Sequence, residues 1–193
     1  IEYKLNGQEK AINLGCKLLE NKKDSIVDKW KQFILNNPNS YIYCMRGGLR
    51  SEIAQSWLKE ININIPTIKG GYKSLRNTSI NILNSVNDNK KKWIILSGRT
   101  GTGKTTILKS FNYSIDLEQI AQHRGSAFGS LETPQPTMIN FETTLAYKYI
   151  NHSNNILLLE DESSTIGRVS IPIPWYERMK KSQIILLNLP LEK

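Results

Sequence analysis

The first part of the chain has apolar residues at the three-to-four spacing that is typical of helices. Over residues 7–35 these positions are Leu14, Leu18, Leu19, Ile26, Trp30, Phe33 and Ile34. The segment "NNPNS" ends this pattern. Later, "SEIAQSWLKE" predicts an amphipathic helix with Ser51 at its N-cap. Another helix is expected after the turn at Gly70 and Gly71, up to about Val86.

Short apolar runs alternate with these helices. The run "YIYC" predicts a short buried strand that ends at Cys44, and "IPTIKGGY" predicts a second strand. Further along, "WIILS", "SIDL", "NILLLE" and "QIILLNL" predict four more. Strands that alternate with helices favour parallel α/β sheets. The polar and charged segment "NDNKKK" has the composition of a solvated linker, so we expect two α/β domains, at residues 1–88 and 89–193.

The composition is that of an ordinary globular protein, with 22% charged and 39% hydrophobic residues. Its apolar runs are too short to span a bilayer, and the N-terminus has no secretory signal pattern. Two cysteines, Cys16 and Cys44, do not make a disulfide framework, which favours a reducing compartment. We therefore expect a cytoplasmic protein without a membrane segment.

The chain carries a formal net charge of +9, which suggests a polyanionic partner such as a nucleic acid. Many of the positive residues are Lys on an Asn- and Ile-rich background, and genomic composition bias explains that pattern equally well. Neither end reads as a natural terminus, since the chain begins at Ile1 and closes on a predicted strand. The sequence therefore predicts a fragment that is truncated at both ends, and it predicts no oligomeric state.

The loop after the first predicted strand, "CMRGGLRSE", combines a thiol with glycines and arginines. Gly47 and Gly48 let the backbone curl, so that its amides and the following helix N-terminus face the sulfur of Cys44. Arg46 and Arg50 add positive charge. These effects stabilise a thiolate, or a persulfide anion built on it, and they outweigh the alternative that Cys44 only packs at the end of a strand. Cys16, on a predicted helix, is expected to pack, and no metal-ligand spacing involves either cysteine.

A second motif, "GRTGTGKT", runs from Gly98 to Thr105 and fits the phosphate-binding P-loop pattern at every specified position. It follows a predicted strand and precedes a predicted helix, as the motif requires. Backbone amides around Gly98, Thr100, Gly101 and Gly103 would surround a phosphate. Lys104 would contact its terminal oxygens, and the Thr105 hydroxyl would hold Mg²⁺.

Two later segments offer partners for the phosphate loop. In "NILLLEDES", one of Glu160, Asp161 and Glu162 is expected to bind Mg²⁺, directly or through water. Asp161 is the predicted ligand, solvation is the alternative role for the other two, and the sequence does not rank them. In "HRGSAFG", Arg124 is a candidate clamp for a phosphate or a nucleic-acid backbone. A structural and a functional role stay equally open for His123.

The segments "CMRGGLRS" and "GGYKSLR" resemble the active-site loop and closing turn of a rhodanese-like domain. Together with the P-loop, "DLEQIAQHRGSAFG", "PQPTMINFE" and "LEDESSTIGRVSIP", they resemble bacterial tRNA 2-selenouridine synthases over essentially the whole chain. The resemblance implies an N-terminally incomplete rhodanese-like domain, followed by a C-terminally incomplete P-loop NTPase-like domain with a parallel sheet.

The resemblance also implies a transferase that acts on tRNA carrying 2-thiouridine at the wobble position. The sulfur would first receive a geranyl group from geranyl diphosphate, and selenium from selenophosphate would then replace the geranyl-thiol to give 2-selenouridine. Cys44, with Arg46 and Arg50, would take part in the exchange. The segment Gly98 to Thr105, with Arg124, would hold a phosphate-bearing substrate such as the diphosphate of the geranyl donor.

Two other functions fit the same motifs. One is a P-loop kinase or NTPase that is fused to a rhodanese-like sulfur carrier and acts on a small molecule. The other is a non-catalytic tRNA-binding or regulatory module that keeps only its phosphate affinity. In the tRNA-binding functions, Arg168 in "TIGRVSIP" and Arg124 are candidate contacts.

Overall fold

A computed structural model describes residues 2–99, 101–126 and 129–188 of the chain. The chain divides into two compact units, Ile1–Leu75 and Arg76–Lys193. A single helix, Gly71–Asn84, runs across this division. The domain boundary that the composition places after residue 88 stays a prediction.

The first unit is mainly helical. Its helices are α1 (Glu2–Leu19), α2 (Lys23–Asn36), α3 (Leu49–Glu60) and the start of α4 (Gly71–Asn84), with a 3-10 turn at Glu20–Lys22. The prediction of helices over residues 7–35 is confirmed by α1 and α2. Its small core consists of Val27, Leu58 and Ile65, against which Trp30 and Trp57 stack with ring centroids 6.3 Å apart.

The parallel sheet predicted for the first unit is reduced to one bridge in the described residues. Ile42 pairs with Thr67 in parallel through two hydrogen bonds, from the Ile42 amide to the Pro66 carbonyl and from the Ile68 amide to the Ile42 carbonyl. Because Pro66 has no amide proton, it cannot donate to a longer ladder. The run "YIYC" is also not a buried strand, since Tyr41 and Tyr43 are 61% and 53% exposed.

The second unit contains a parallel sheet with helices on both faces. Its strands are β1 (Lys92–Gly98), β2 (Ile156–Glu160), the short pair β3 (Thr165–Ile166) and β4 (Val169–Ser170), and β5 (Gln183–Leu187). Its helices are the remainder of α4, a 3-10 turn at Ser85–Asp88, α5 (Lys104–Ser110), α6 (Leu117–Ala121), α7 (Met138–Ile150) and α8 (Ile173–Lys181).

The three-stranded sheet has the order β2-β1-β5, with both pairs parallel. This arrangement confirms the prediction of a parallel α/β sheet after "NDNKKK". The predicted strand "SIDL" is present only as a bridge between Ser114 and Leu158. The pairing with β2 does not extend into a strand, because Asp116 is already the N-cap of α6. Its side chain accepts a hydrogen bond from the Gln119 amide at 2.7 Å.

The two faces of the sheet pack against different helices because side chains alternate along each strand. Trp93 and Ile95 of β1 point to the larger core, which α7 and α8 complete with Phe141, Leu145 and Trp175. Leu96 of β1 and Leu158 of β2 belong to the other core, which Leu108 of α5 completes. The two cores therefore hold β1 and β2 in place from both faces, and with them the carboxyl ends of these strands, where the following loops begin.

Strand β5 lies at one edge of this sheet and is open to solvent. Ile184, Ile185 and Leu186 are 57%, 45% and 69% exposed. Across the described residues, none of the helices is both long enough and apolar enough to cross a membrane.

Candidate functional site

The loop that carries Cys44 is held against the first turn of α4. The Cys44 carbonyl accepts a hydrogen bond from the Tyr72 amide at 2.9 Å, and the Met45 carbonyl accepts one from the Lys73 amide at 3.1 Å. Gly47 and Gly71 both have positive φ, +64° and +58°, at this contact. A Cβ on Gly71 would overlap the Cys44 carbonyl oxygen, so the loop closes only with glycine there.

The sulfur of Cys44 lies over the first turn of α3, where hydrogen-bond donors converge on it. The Gly48 amide donates to Sγ at 3.2 Å, and the Ser51 hydroxyl donates at 3.5 Å. The side-chain hydrogen bond from Ser51, followed by backbone hydrogen bonds from Gly48 and Arg46, lowers the pKa of Cys44 from 9.0 to about 6. The thiol is therefore largely ionised at neutral pH, as expected for a nucleophilic cysteine.

The cause of the lowered Cys44 pKa differs from the sequence-based prediction, which included the positive charges of Arg46 and Arg50. Arg46 contributes its backbone, and the guanidinium charges of Arg46 and Arg50 are not among the causes of the lowered pKa. Both arginines are exposed. Ser51 is not the N-cap of α3, because the helix begins at Leu49 after Gly48. Ser51 is instead 2% exposed, and its hydroxyl also contacts the Gly48 carbonyl at 2.6 Å.

A largely apolar cavity of about 450 Å³ adjoins the cysteine. Its lining includes Cys44, Arg50 and Ser51 together with Trp30 and Phe33. The Cys44 side chain thus borders a space that is large enough for a small organic group.

The phosphate loop connects β1 directly to α5. Gly98 is the last residue of β1 and Gly103 is the N-cap of α5, with φ of +79°. Gly101, at φ +85°, has open space where a side chain would be. Thr100, which the sequence includes in the phosphate cradle, lies outside the described residues. The described part of the loop therefore leads from a parallel strand into a helix N-terminus, which is the arrangement that binds phosphate.

Lys104 and Thr105 lie in the first turn of α5, where the motif places them. Nζ of Lys104 donates to the carbonyl oxygens of Gly98 at 2.8 Å and Arg99 at 3.1 Å. The ammonium group is thus folded back over the loop, where an incoming phosphate oxygen can compete for it. Thr105 is partly buried beside it.

The loop occupies the position in the sheet that favours ligand binding. β1 is the central strand, with β2 on one side and β5 on the other. In open parallel sheets, ligands bind beyond the carboxyl ends of the strands where the strand order changes direction. The loop after β1 and the acidic segment after β2 meet at this edge.

The three acidic residues after β2 have different environments. Asp161 is exposed, and its Oδ2 accepts a hydrogen bond from the Ser97 hydroxyl at 2.7 Å. Glu160 is only 1% exposed, and Glu162 is partly buried. The alternative that Glu160 and Glu162 are simply solvated is therefore wrong, because both side chains turn toward the protein. The predicted role of Asp161 in binding Mg²⁺ stays a prediction.

Glu160 and Glu162 converge with Glu118 of α6. One carboxylate oxygen from each residue lies within 4.8 Å of one from each of the others. Burial, followed by the charge of Glu118, raises the pKa of Glu160 to about 8 and that of Glu162 to about 7. The positive charge of Lys104 acts in the opposite direction on both carboxyls, so the acidic cluster and the phosphate loop share one electrostatic environment.

The described residues of "HRGSAFG" lie beside this cluster, where the Gly125 amide donates a hydrogen bond to Glu118. The Arg124 amide donates to the Gly129 carbonyl at 2.8 Å, and His123 bridges to Ser130. Ala127 and Phe128 lie outside the described residues. The Arg124 side chain is exposed, whereas His123 is 9% exposed and its Nδ1 has no hydrogen-bond partner among the described residues.

Gln135 joins this loop region to the β3–β4 hairpin. Its Nε2 donates to the carbonyls of Ala121 at 3.1 Å and Ile166 at 3.0 Å, and its Oε1 accepts from the Arg168 amide at 2.8 Å. Three segments that are separate in the sequence are thus fixed to one another through a single side chain.

Comparisons with known proteins agree with this combination of motifs. Residues 91–193 match the family model described as the tRNA 2-selenouridine synthase AAA domain. The chain belongs to the tRNA 2-selenouridine synthase family. It is 45% identical, over 98% of its length, to the tRNA 2-selenouridine synthase of Shewanella piezotolerans, and 48% identical, over 96%, to that of Shewanella denitrificans. No solved structure matches the chain.

The chain spans about half the length of these synthases, 53% of the first and 52% of the second. The match to the synthase AAA domain begins at residue 91, one residue before β1. The phosphate loop, the glutamate cluster and the β3–β4 hairpin all lie within the matched region.

For this member of the synthase family, sequence reasoning misses three residues that organise the candidate sites. The sequence indicates only a helix cap at Ser51. The available signal was its position seven residues after Cys44, across the turn at Gly47 and Gly48, which is compatible with a contact between the Ser51 hydroxyl and the sulfur. Glu118 follows the N-cap Asp116 of a very short helix, and nothing in its local pattern separates it from a solvated residue. Gln135 stands in "PQPT", where two prolines mark a rigid segment but indicate no partner.

Proposed function

We propose that the chain is the portion of a tRNA-modifying transferase that converts 2-thiouridine at the wobble position to 2-selenouridine. Membership of the tRNA 2-selenouridine synthase family supports this function. The observation that carries the proposal is a thiol with a pKa of about 6 in one unit, in the same chain as a phosphate loop in the other unit. The proposed reaction uses both, because its first step consumes a diphosphate donor and its second step exchanges sulfur for selenium.

In the proposed first reaction, the sulfur of 2-thiouridine forms a bond to C1 of the geranyl group while the C–O bond to the diphosphate breaks. Negative charge then builds on the leaving diphosphate. Lys104 and the amides of the phosphate loop would stabilise this charge, and the exposed Arg124 would add a further positive charge. Alkylation also turns the sulfur into a better leaving group for the second reaction.

In the proposed second reaction, the selenium of selenophosphate attacks C2 of the uracil ring and the geranyl-thiolate leaves. Water then cleaves the Se–P bond, which releases phosphate and leaves 2-selenouridine. The Cys44 thiolate would act in this exchange, in a loop whose donors stabilise a negative charge on a soft atom. Arg46 and Arg50, both exposed, would meet the tRNA or the selenophosphate anion.

We also propose that the first unit is a rhodanese-like domain. The features that support it are the Cys44 loop, which follows an extended segment, and the closing turn at Gly70 and Gly71 that packs against it. A loop of this kind would place a nucleophilic sulfur over the start of α3.

Mg²⁺ fits the phosphate-binding unit because hard carboxylate oxygens are its preferred ligands. Asp161 offers an exposed carboxylate one residue beyond the end of β2, which pairs with the strand that leads into the phosphate loop. Thr105 and Asp161 are the ligands expected from the sequence. When bound, the ion would supply charge neutralisation for the leaving diphosphate.

A single experiment tests both reactions. The chain is incubated with tRNA that carries 2-thiouridine, geranyl diphosphate and selenophosphate, and the digested nucleosides are measured by mass spectrometry. We expect Lys104→Ala to reduce geranyl transfer by roughly a hundredfold, because its charge meets the leaving group. Cys44→Ser should leave geranyl transfer intact and stop the incorporation of selenium. Cys16→Ser is the matched control and should change neither step.

Two outcomes would contradict the proposal. Unchanged nucleosides together with steady ATP turnover would favour a kinase or NTPase that is fused to a sulfur carrier. Selenium incorporation that survives in Cys44→Ser would show that the thiol has no part in the exchange.

A further inference from the structure

Three glutamates from two segments of the chain meet beside the phosphate loop. Glu118 comes from α6, Glu160 is the last residue of β2, and Glu162 follows two residues later. One carboxylate oxygen of each lies within 4.8 Å of one from each of the others. Carboxylates this close repel one another in a partly buried site unless a positive charge or a shared proton compensates.

Glu160 is the most constrained member of this cluster. It is 1% exposed, and its Oε1 is buried and has no hydrogen-bond partner among the described residues. Removing a carboxylate from water without a partner is strongly unfavourable. This unpaired acceptor therefore requires a ligand that supplies positive charge or a proton.

The described residues offer no cation that pairs with these carboxylates. Within the described ranges, the salt bridges join Lys23 to Glu60 and Arg76 to Glu142, and neither includes a member of the cluster. Lys104 is close enough to lower the pKa of Glu160 and Glu162, but its Nζ is bonded to the carbonyls of Gly98 and Arg99.

The backbone around the cluster is shaped to let the carboxylates approach. The Gly125 amide donates a hydrogen bond to Oε1 of Glu118, which orients that side chain. A Cβ on Gly125 would overlap the carboxylate of Glu162, so glycine leaves room for it. Asp116 does not add to the ligand set, because its Oδ1 is already the N-cap acceptor of α6.

We propose that Glu118, Glu160 and Glu162 bind one divalent cation, Mg²⁺ or Mn²⁺, at the carboxyl edge of the sheet. An all-oxygen ligand set selects hard cations, and the set contains no sulfur or imidazole that would favour zinc. Three carboxylate oxygens leave the other positions of an octahedral ion to the waters that these ions retain. The cation would offset the charge of the cluster and satisfy Oε1 of Glu160. This site differs from the Thr105 and Asp161 pair, and it does not depend on the proposed function.

Binding of Mn²⁺ alone tests the site, with free Mn²⁺ measured by electron paramagnetic resonance as the 193-residue chain is added. We expect one bound ion per chain. E162Q and E118Q should each weaken its affinity roughly tenfold or more, because each removes a charged ligand. The two variants keep side-chain volume, and circular dichroism confirms that they fold. E132Q removes an exposed carboxylate outside the cluster and should leave the affinity unchanged.

The D161N variant distinguishes the three-glutamate site from the Thr105 and Asp161 site that the sequence predicts. Mn²⁺ is measured here without any diphosphate, so the ion that Thr105 and Asp161 would hold with that ligand does not contribute. If the three glutamates hold the measured ion, D161N changes its affinity by no more than about twofold. A loss of binding in D161N, with E118Q and E162Q unaffected, would place the ion at Asp161 and overturn the proposal. Absence of Mn²⁺ and Mg²⁺ binding to the unsubstituted chain would also overturn it, and would indicate that the cluster is neutralised by shared protons.

Discussion

The sulfur of Cys44 accepts hydrogen bonds from a backbone amide and from a hydroxyl, and both donors belong to the start of α3. Hydrogen bonds to a thiolate favour the charged form directly, whereas exposed arginine side chains act through water and are screened. Ser51 is buried and its hydroxyl also contacts the Gly48 carbonyl, so its position is fixed. The reactivity of the thiol therefore depends on a residue that has no charge of its own.

This dependence predicts the pH profile of Cys44 alkylation. In a Cys16→Ser background, the rate of reaction with iodoacetamide should rise with pH and level off above an inflection near pH 6, because only the thiolate reacts. Ser51→Ala removes the first cause of the lowered pKa. Its inflection should move upward, toward the unshifted value of 9.0.

Ser56→Ala is the matched control for Ser51→Ala. Ser56 lies on the same helix and its hydroxyl donates to the Ile53 carbonyl at 2.8 Å, away from the sulfur. Its profile should coincide with that of the background chain. If Ser51→Ala retained the inflection near pH 6 while both variants stayed folded, the hydroxyl would not control the thiol.

At the scale of elements, the Cys44 loop depends on how closely it approaches the first turn of α4. Gly71→Ala places a Cβ on the Cys44 carbonyl at a φ of +58°, which favours glycine. The backbone conformation alone should lower the free energy of unfolding by about 1 kcal/mol, and the overlap should lower it further. Urea denaturation measures this change, and alkylation of Cys44 reports whether the loop has opened.

Gly15→Ala provides the comparison on α1. A Cβ added to Gly15 would have open space around it, with no neighbouring atom of the described residues within 4 Å, and the residue lies within the helix. Alanine is the better helix former by about 1 kcal/mol, so this change should stabilise the chain or leave it unchanged. Equal losses in the two variants would show that the turn at Gly71 is not the constraint.

The helices and the phosphate loop were predictable because their signals are local. The spacing of Trp30, Phe33 and Ile34 identifies α2, and "GTGKT" specifies both its own turn and the helix that follows. The glutamate cluster was not predictable, because it needs the pairing of β2 with β1 and the position of α6 beyond them. Tyr41 and Tyr43 misled the strand prediction, since aromatic residues favour strands whether or not another layer covers them.

At the scale of the whole molecule, the net charge of +9 belongs with the proposed tRNA partner. Binding to phosphates releases counterions, so the logarithm of the association constant should fall linearly with the logarithm of salt concentration. We expect a loss of affinity of at least about tenfold between about 50 and 200 mM salt, measured by fluorescence anisotropy of labelled tRNA. A slope near zero would contradict a phosphate-based interface.

The same tRNA with an unmodified wobble uridine serves as the control for this slope. Its phosphates are the same, so its salt dependence should coincide with that of the 2-thiouridine form. Any difference in affinity between the two tRNAs would then report recognition of the sulfur.

Strand β5 has a consequence for the chain in concentrated solution. Three adjacent apolar side chains, Ile184, Ile185 and Leu186, stand exposed on a strand at the sheet edge. An uncovered edge of this kind is a template on which a second chain can add its own strand. In the described part of the chain, Gln183–Leu187 is therefore the segment through which we expect self-association at high concentration, and it carries none of the candidate site residues.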